Sequence, residues 1–368
     1  MKPFVTTAIV IGVVVVTIVI YLCFSYRLNY LFKSWYILLQ NKYIVFPVQA
    51  PPERWSPLYC EEVGTETVSL QAPGVLMYSS FVEFGNDILL FSRTGIDSSV
   101  CNHGWKLSKS YLRQKSQLHS TINRSPGAFC GTFLADNFVV SRVKGVLIGV
   151  GGRDPSGFEH PTTVDFDQGA YQFKGKVIGD NVKFDEGSLI IWSSIGAPQS
   201  HLCSNEVFTP IVEGCDGIQR IYSRYNINIA ERKLQMFWKT PRGWEFGAVV
   251  MIYDHTFRPL KKYSVYSANV VCCNGMYVAM LRFTWENNPC FYGTVCEPTL
   301  ASSWHIRAAF SLDGVHFILQ EKPVAMESTL FPAYGCYSEI VKNRWCFMFN
   351  RYNTKELVRK SIVINPIS

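Results

Sequence analysis

One pattern recurs five times along this chain and limits what it can fold into: a short polar turn, then an apolar strand that ends in or runs past an arginine. Asn86-Asp87 leads through ILLFS to Arg93, Lys144-Gly145 through VLIGVGG to Arg153, and Asp216-Gly217 through IQRIYS to Arg224. Asn274-Gly275 leads through MYVAML to Arg282, and Lys342-Asn343 through RWCFMFN to Arg351. Successive arginines stand 60, 71, 58 and 69 residues apart.

That spacing is what four strands and their connections occupy, so five copies predict a five-bladed β-propeller. A strand carrying polar residues precedes each copy (MYSSFVEF, CGTFLADNF, EVFTPIVEG, YSANVVC and FPAYGCYSEI). Further strands follow most copies, at Trp105, at Arg232 and at His305 most clearly. From residue 58 onward no long stretch has apolar residues at helical spacing, while runs of five to eight rich in Val, Ile, Tyr, Phe and Trp alternate with Gly, Asn, Asp and Pro. The fold class expected is all-β; a β-sandwich or a mixed α/β fold is the alternative.

Ahead of the domain, residues 4–24 read FVTTAIVIGVVVVTIVIYLCF, twenty-one residues without a charge. A helix of that length crosses the hydrocarbon core, so a single N-terminal transmembrane helix is expected within residues 1–27. A cleaved signal peptide has a shorter apolar region ending in small residues, whereas Tyr21, Phe24, Tyr26 and Arg27 follow here. Residues 28–57 form a juxtamembrane segment of aromatics and isolated cations, then a spacer, PVQAPPERWSP, whose four prolines oppose helix and ladder pairing. The propeller domain is expected over 58–368.

Lys2 before the span faces Arg27, Lys33 and Lys42 after it, a charge bias that by itself places the C-terminal side in the cytoplasm. Two features oppose it: eleven of the twelve cysteines lie beyond the span, and Asn123-Arg124-Ser125 fits the glycosylation acceptor. The expectation is a single-pass, type II protein with its domain luminal or extracellular. Cys203 with Cys215, Cys290 with Cys296, and Cys336 with Cys346 are close enough in sequence to bridge.

A net charge of +7 is spread along the chain rather than gathered into a stripe, and nucleic-acid binding is not expected. No histidine pair or CxxC pair has metal-ligand spacing, so no metal or other cofactor is expected. Asp165-Phe166-Asp167 is an Asp-X-Asp element of the kind that holds a divalent cation against a nucleotide diphosphate in metal-dependent glycosyltransferases; its plainer reading, between two apolar runs, is a solvated turn.

Ala309-Phe-Ser-Leu-Asp313-Gly314-Val-His-Phe317, with Arg220-Ile-Tyr-Ser-Arg224-Tyr-Asn226 and Arg232-Lys-Leu-Gln235, resembles the five-bladed propellers of the glycoside hydrolase superfamily that includes invertases and arabinanases. The resemblance follows blade rhythm over about residues 75–365 and is specific only in these stretches. It implies a glycan or oligosaccharide partner and acids on the innermost strands of the first three blades, since glycoside cleavage needs one carboxyl to protonate the leaving oxygen and another to attack or activate water. On that mapping Glu206 is the proton donor, assisted by Asp136 or by Asp154 of Arg153-Asp154-Pro155; Glu213, Arg93 and Arg224 bind substrate. The first blade offers only Glu83, near the far end of its strand. A propeller that has lost its acids and binds glycans or a protein at a cell or virion surface is therefore the second expectation, and the Asp-X-Asp glycosyltransferase the third. The five arginines either face the funnel or tie neighbouring blades together.

Overall fold

The structure is a computed structural model. It describes residues 58–69, 75–94, 101–108, 135–153, 169–178, 181–185, 187–192, 205–226, 232–260, 263–284, 305–327, 329–338 and 343–366. These lie in the larger of two compact units, Pro51–Ser368. The expected span at 4–24, the spacer, Asn123, Asp154 and the Asp165/Asp167 element fall outside the described residues. No helix among the described residues is long and apolar enough to cross a membrane.

Every regular element described is a strand. The chain begins with β1 (Leu58–Ser69), then makes blade 1 from β2 (Leu76–Phe84), β3 (Asp87–Thr94) and β4 (Cys101–Ser108). Blade 2 holds β5 (Ala135–Val143), β6 (Val146–Arg153), β7 (Gly169–Ile178), β8 (Asn181–Phe184) and β9 (Ser188–Trp192). Blade 3 holds β10 (Asn205–Phe208), β11 (Val212–Glu213), β12 (Gln219–Asn226), β13 (Arg232–Thr240) and β14 (Gly243–Val249). Blade 4 holds β16 (Ser264–Cys273), β17 (Met276–Thr284), β18 (His305–Ser311) and β19 (His316–Leu319), with β15 (Met251–Tyr253) parallel to β19. Blade 5 holds β20 (Leu330–Pro332), β21 (Tyr337–Ser338), β22 (Arg344–Arg351) and β23 (Glu356–Pro366), and β1 returns as its outermost strand. The sandwich, and the helix-containing sheet that a nucleotide-sugar transferase needs, are not what these strands build.

The recurring turn and strand are the hairpin into the second strand of each blade: β3, β6, β12, β17 and β22. Positive φ at Gly85, Lys144, Gly145, Gly217, Asn274, Gly275 and Asn343 explains the residue types at those turns, because short hairpins need left-handed backbone. All five arginines close their strands at one level. In register they face Met77, Ala135, Glu206, Ser267 and Leu330, the opening residues of the innermost strands.

Polar contacts hold the ring at every seam, joined at one of them by a disulfide. Val140 N–H donates to Ser80 Oγ (2.9 Å) between blades 1 and 2, and Ile211 N–H to Ser141 Oγ (3.1 Å) between blades 2 and 3. Between blades 3 and 4 stands the Cys215–Cys272 disulfide, and Tyr222 Oη donates to the Gly314 carbonyl at 2.9 Å. Asn269 donates to the Gly335 carbonyl (2.8 Å) and accepts from its N–H (2.9 Å) between blades 4 and 5. Phe81 N–H to Tyr334 O (3.0 Å) and Tyr334 N–H to Ser79 O (2.8 Å) close blade 5 onto blade 1.

Around these ties the apolar core is divided among the seams. Phe91, Phe138, Phe173 and Phe184 interlock edge to face between blades 1 and 2. Phe208, Ile211 and Ile221 meet Val139 and Val150 between blades 2 and 3, and Phe347 and Phe349 meet Val278 and Met280 between blades 4 and 5.

The disulfide corrects the sequence-based pairing: Cys215 bridges to Cys272 in the next blade. Cys336 and Cys346 are not bonded to each other. The residue opposite Cys346 in the ladder is Tyr337, and Cys336 precedes that strand. Cys203, Cys290 and Cys296 lie outside the described residues.

The Ser-Leu-Asp-Gly element turns β18 into β19. Asp313 accepts from Ser311 Oγ (2.9 Å), the N–H groups of Val315 (2.8 Å) and His316 (2.9 Å), and pairs with His316 Nδ1 (2.7 Å). Burial works against the ionised form, but these donors, His316 foremost, hold the carboxyl well below the usual carboxylate range. A depressed carboxyl gives stability that is full above its unfolded value near about 4 and fades as pH falls through the lower native value. Asp313→Asn is therefore expected to cost about 1 kcal/mol at pH 7, discounted for a half-exposed side chain, and less as pH drops below about 4. Urea titrations at several pH values measure it; an equal cost at every pH contradicts the assignment.

Candidate functional site

The five innermost strands run along one channel, and its two mouths differ in chemistry. At the mouth where the strands begin, the ladder breaks register in four blades at the same height: between Met77 and Ser80, Asp136 and Val139, Glu206 and Phe208, and Val265 and Ser267. Bulges of this kind re-aim side chains and gather beside binding sites. In blade 1 the bulge holds Tyr78 at φ 50°, a conformation costly for an aromatic residue.

Tyr266 is the hub of this mouth. The guanidinium groups of Arg224, Arg232 and Arg282 lie 5.0, 5.2 and 5.5 Å from its ring centre, and Arg224 donates to its carbonyl at 3.3 Å. Burial raises the phenol, but the Arg224 charge, the hydrogen bond with Tyr78 and the charges of Arg232 and Arg282 outweigh it and hold Tyr266 below the ordinary tyrosine value. Arg282, 2% exposed, lies 3.2 Å from the Phe331 ring centre, and burial brings its pKa down to about 9 despite the Tyr266, Tyr78 and Tyr352 hydroxyls. Tyr78, Tyr266, Phe331 and Tyr352 line a small recess of about 40 Å³ here.

Two of the five arginines touch the next blade: Arg224 lies over Tyr266 of blade 4, and Arg282 over Phe331 of blade 5. Arg351 instead pairs with Glu327 (3.2 Å) and Glu356 (2.7 Å). Arg93 is half-buried on β3 opposite Met77, and Arg153 ends β6 opposite Ala135.

The opposite mouth opens into a cavity of about 350 Å³ lined by strand ends of all five blades, among them Glu83, Arg142, Glu213, Cys272 and Cys336. Glu83 Oε1 accepts from Ser338 N–H at 3.2 Å.

The sequence-derived acids are therefore divided between two places. Asp136 stands on β5 opposite Gly152 and Glu206 on β10 opposite Arg224, both at the strand-start mouth; Glu213 and Glu83 belong to the strand-end cavity. At the height of Asp136 and Glu206, blade 1 carries Met77 and Tyr78. No group of three or more metal-ligating side chains is found among the described residues. The Tyr266 cluster carries no strong sequence mark, since Tyr266 sits in a strand like any other aromatic. Its signal was indirect: a tyrosine two residues into the strand before a recurring arginine strand.

No family model and no curated protein matches the chain. Solved structures do. A protein of unknown function from Dyadobacter fermentans is 13% identical with a TM-score of 0.46, covering 83% of this chain and 99% of that one. The α-L-arabinofuranosidase of Podospora anserina is 9% identical at 0.49, covering 82% and 95%, and an exo-1,5-α-L-arabinanase from a bovine ruminal metagenomic library is 8% identical at 0.45, covering 79% and 92%. The chain is a five-bladed β-propeller. That statement rests on its own sheet order and closure; identities this low say nothing of the propeller's substrate.

Proposed function

We propose that this propeller binds glycans at its strand-start mouth and does not cleave them by the two-carboxylate route. One observation carries the choice: at the height where blades 2 and 3 place Asp136 and Glu206, blade 1 places Met77 and Tyr78. Of the three acids that the resemblance assigns to hydrolysis, the first-blade member has no counterpart. What the mouth does offer suits recognition of a sugar: half-buried aromatic faces for stacking, and acidic and basic residues for hydroxyl groups. Hydrolysis by Glu206 as proton donor with Asp136 or Asp154 assisting is the second reading, favoured by the position of Glu206 and Asp136 at the same mouth of the channel.

The apolar run at 4–24 would hold the propeller at a membrane as a single-pass, type II protein, and Asn123 would carry a glycan. The Cys215–Cys272 disulfide supports an oxidising compartment for the domain.

The test presents immobilised oligosaccharides to the purified protein and assays the same sugars for release of reducing ends. Binding without release is expected, with Asp136→Asn and Glu206→Gln each weakening it about tenfold, the equivalent of about 1.4 kcal/mol. Release that both substitutions abolish would make the protein a glycosidase. Neither binding nor release on any sugar would overturn the carbohydrate assignment.

A further inference from the structure

We propose that Cys273 and Cys336 form a second disulfide between blades, so that the adjacent residues Cys272 and Cys273 fasten the innermost strand of blade 4 to blade 3 on one side and to blade 5 on the other. The two sulfurs stand 3.5 Å apart as thiols. No backbone has to cross a gap to join them: Asn269, on the same strand as Cys273, already holds the peptide group next to Cys336 through both hydrogen bonds of Gly335.

Blade periodicity points the same way. Cys215 and Cys272 are 57 residues apart and bonded; Cys273 and Cys336 are 63 apart. Each separation is about one blade, the distance at which neighbouring innermost strands meet in this ring. The bonded pair also shows that the fold carries an oxidised pair one residue away, and a compartment that keeps one such bond keeps a second.

Access decides how the bond forms. Cys273 is 1% exposed, and burial together with the neighbouring Cys336 and Cys60 sulfurs pushes its thiol up, so it is a poor first nucleophile. Cys336 is half-buried and lines the strand-end cavity of about 350 Å³, where a disulfide-bearing partner can reach it. With a small-molecule disulfide as oxidant, the Cys336 thiolate attacks one sulfur and releases the first thiolate; Cys273 sulfur then attacks Cys336 sulfur and releases the second. The two protons lost by the cysteines end on the two released thiols, and the oxidant's disulfide is what is reduced. Cys60, buried in the same apolar cluster as Cys273, is the competing partner.

The experiment uses the full chain carrying Cys272→Ser, so that only Cys273 is left on that strand. After incubation with oxidised glutathione, free thiols are blocked and the digested protein is mapped by mass. The expected result is one cross-linked species joining the Cys273 and Cys336 peptides, lighter than the two reduced peptides by two hydrogens and split by reductant. In the unaltered chain, Cys336 should become alkylatable only after reduction, which reads the same bond without relying on the variant's folding. Cys273 linked to the Cys60 peptide, Cys336 retained as a glutathione adduct, or both thiols alkylatable in the oxidised wild-type chain would each overturn the proposal.

Discussion

Deletion of residues 1–69 is expected to abolish the cooperative unfolding transition of the propeller. β1 runs antiparallel to β23 from Leu58 opposite Pro366 to Ser69 opposite Glu356, and is the outer strand of the last blade although it comes first in the chain. Eleven registered pairs correspond to about ten ladder hydrogen bonds at about 1 kcal/mol each, comparable with the whole stability of a domain, about 5–15 kcal/mol. The strand also ties blades 4 and 5: Cys60 N–H donates to Gln320 Oε1 at 2.7 Å, and Lys360 Nζ meets Glu62 Oε2 at 2.5 Å. Without it the edge of β23 lies open and Ile362 and Ile364 lose cover. A permuted chain gives the decisive control. Because Leu58 faces Pro366, residues 58–69 placed directly after Ser368 re-enter as a hairpin through Ile367 and Ser368. Urea unfolding followed by tryptophan fluorescence should show no cooperative transition for the truncated chain and a restored one for the permuted chain; a cooperative truncated chain would show that the ring closes without β1.

That closing strand also marks how far the sequence could be read. The second strand of every blade was legible because two local rules coincide there: a turn needing left-handed backbone, filled by Gly, Asn or Lys-Gly, and an apolar run closed by arginine at a fixed level. The outer strands carry neither mark, and nothing within Leu58–Ser69 says that its partner lies almost three hundred residues on. Disulfide pairing failed for a related reason. Nearness in sequence favoured Cys203 with Cys215, but in a ring of blades the sulfurs that meet are one blade apart, as Cys215 and Cys272 are.

The candidate site was legible in part. The resemblance drew attention to Asp136 and Glu206, and the ladder sets both at the beginning of their innermost strands. Glu213 is only seven residues from Glu206, yet seven residues of extended chain, at about 3.3 Å each, reach the other mouth of the channel. Arg224 and Arg282 each lie against an aromatic ring of the next blade, a contact that a guanidinium favours and that no local pattern shows. The Tyr266 hub depends on side chains from blades 1, 3, 4 and 5 meeting in space, which no local pattern encodes.

The largest effect expected of a single substitution is that of Gly335→Ala, at about 4 kcal/mol. Gly335 sits at φ +101°, where a side chain is strained, and a Cβ there would stand 2.4 Å from the Phe81 carbonyl oxygen. Relief by movement is blocked on both sides. The Gly335 N–H and carbonyl are held by Asn269, while the preceding Tyr334 accepts from Phe81 N–H and donates to the Ser79 carbonyl. A shift large enough to clear Phe81 must break the ties of blade 5 to blade 4 or to blade 1, leaving buried peptide groups without partners at about 1–3 kcal/mol each. Gly275→Ala separates this clash from simple backbone strain. Gly275 has φ +83° in the β16–β17 turn with nothing within 4 Å of a Cβ, so only the left-handed conformation is penalised, by about 1 kcal/mol. Denaturant midpoints should therefore fall far more for Gly335→Ala than for Gly275→Ala. Equal losses would mean that the seam between blades 5 and 1 yields easily, and that the ring is held chiefly by β1 and the outer strands instead of by its inner ties.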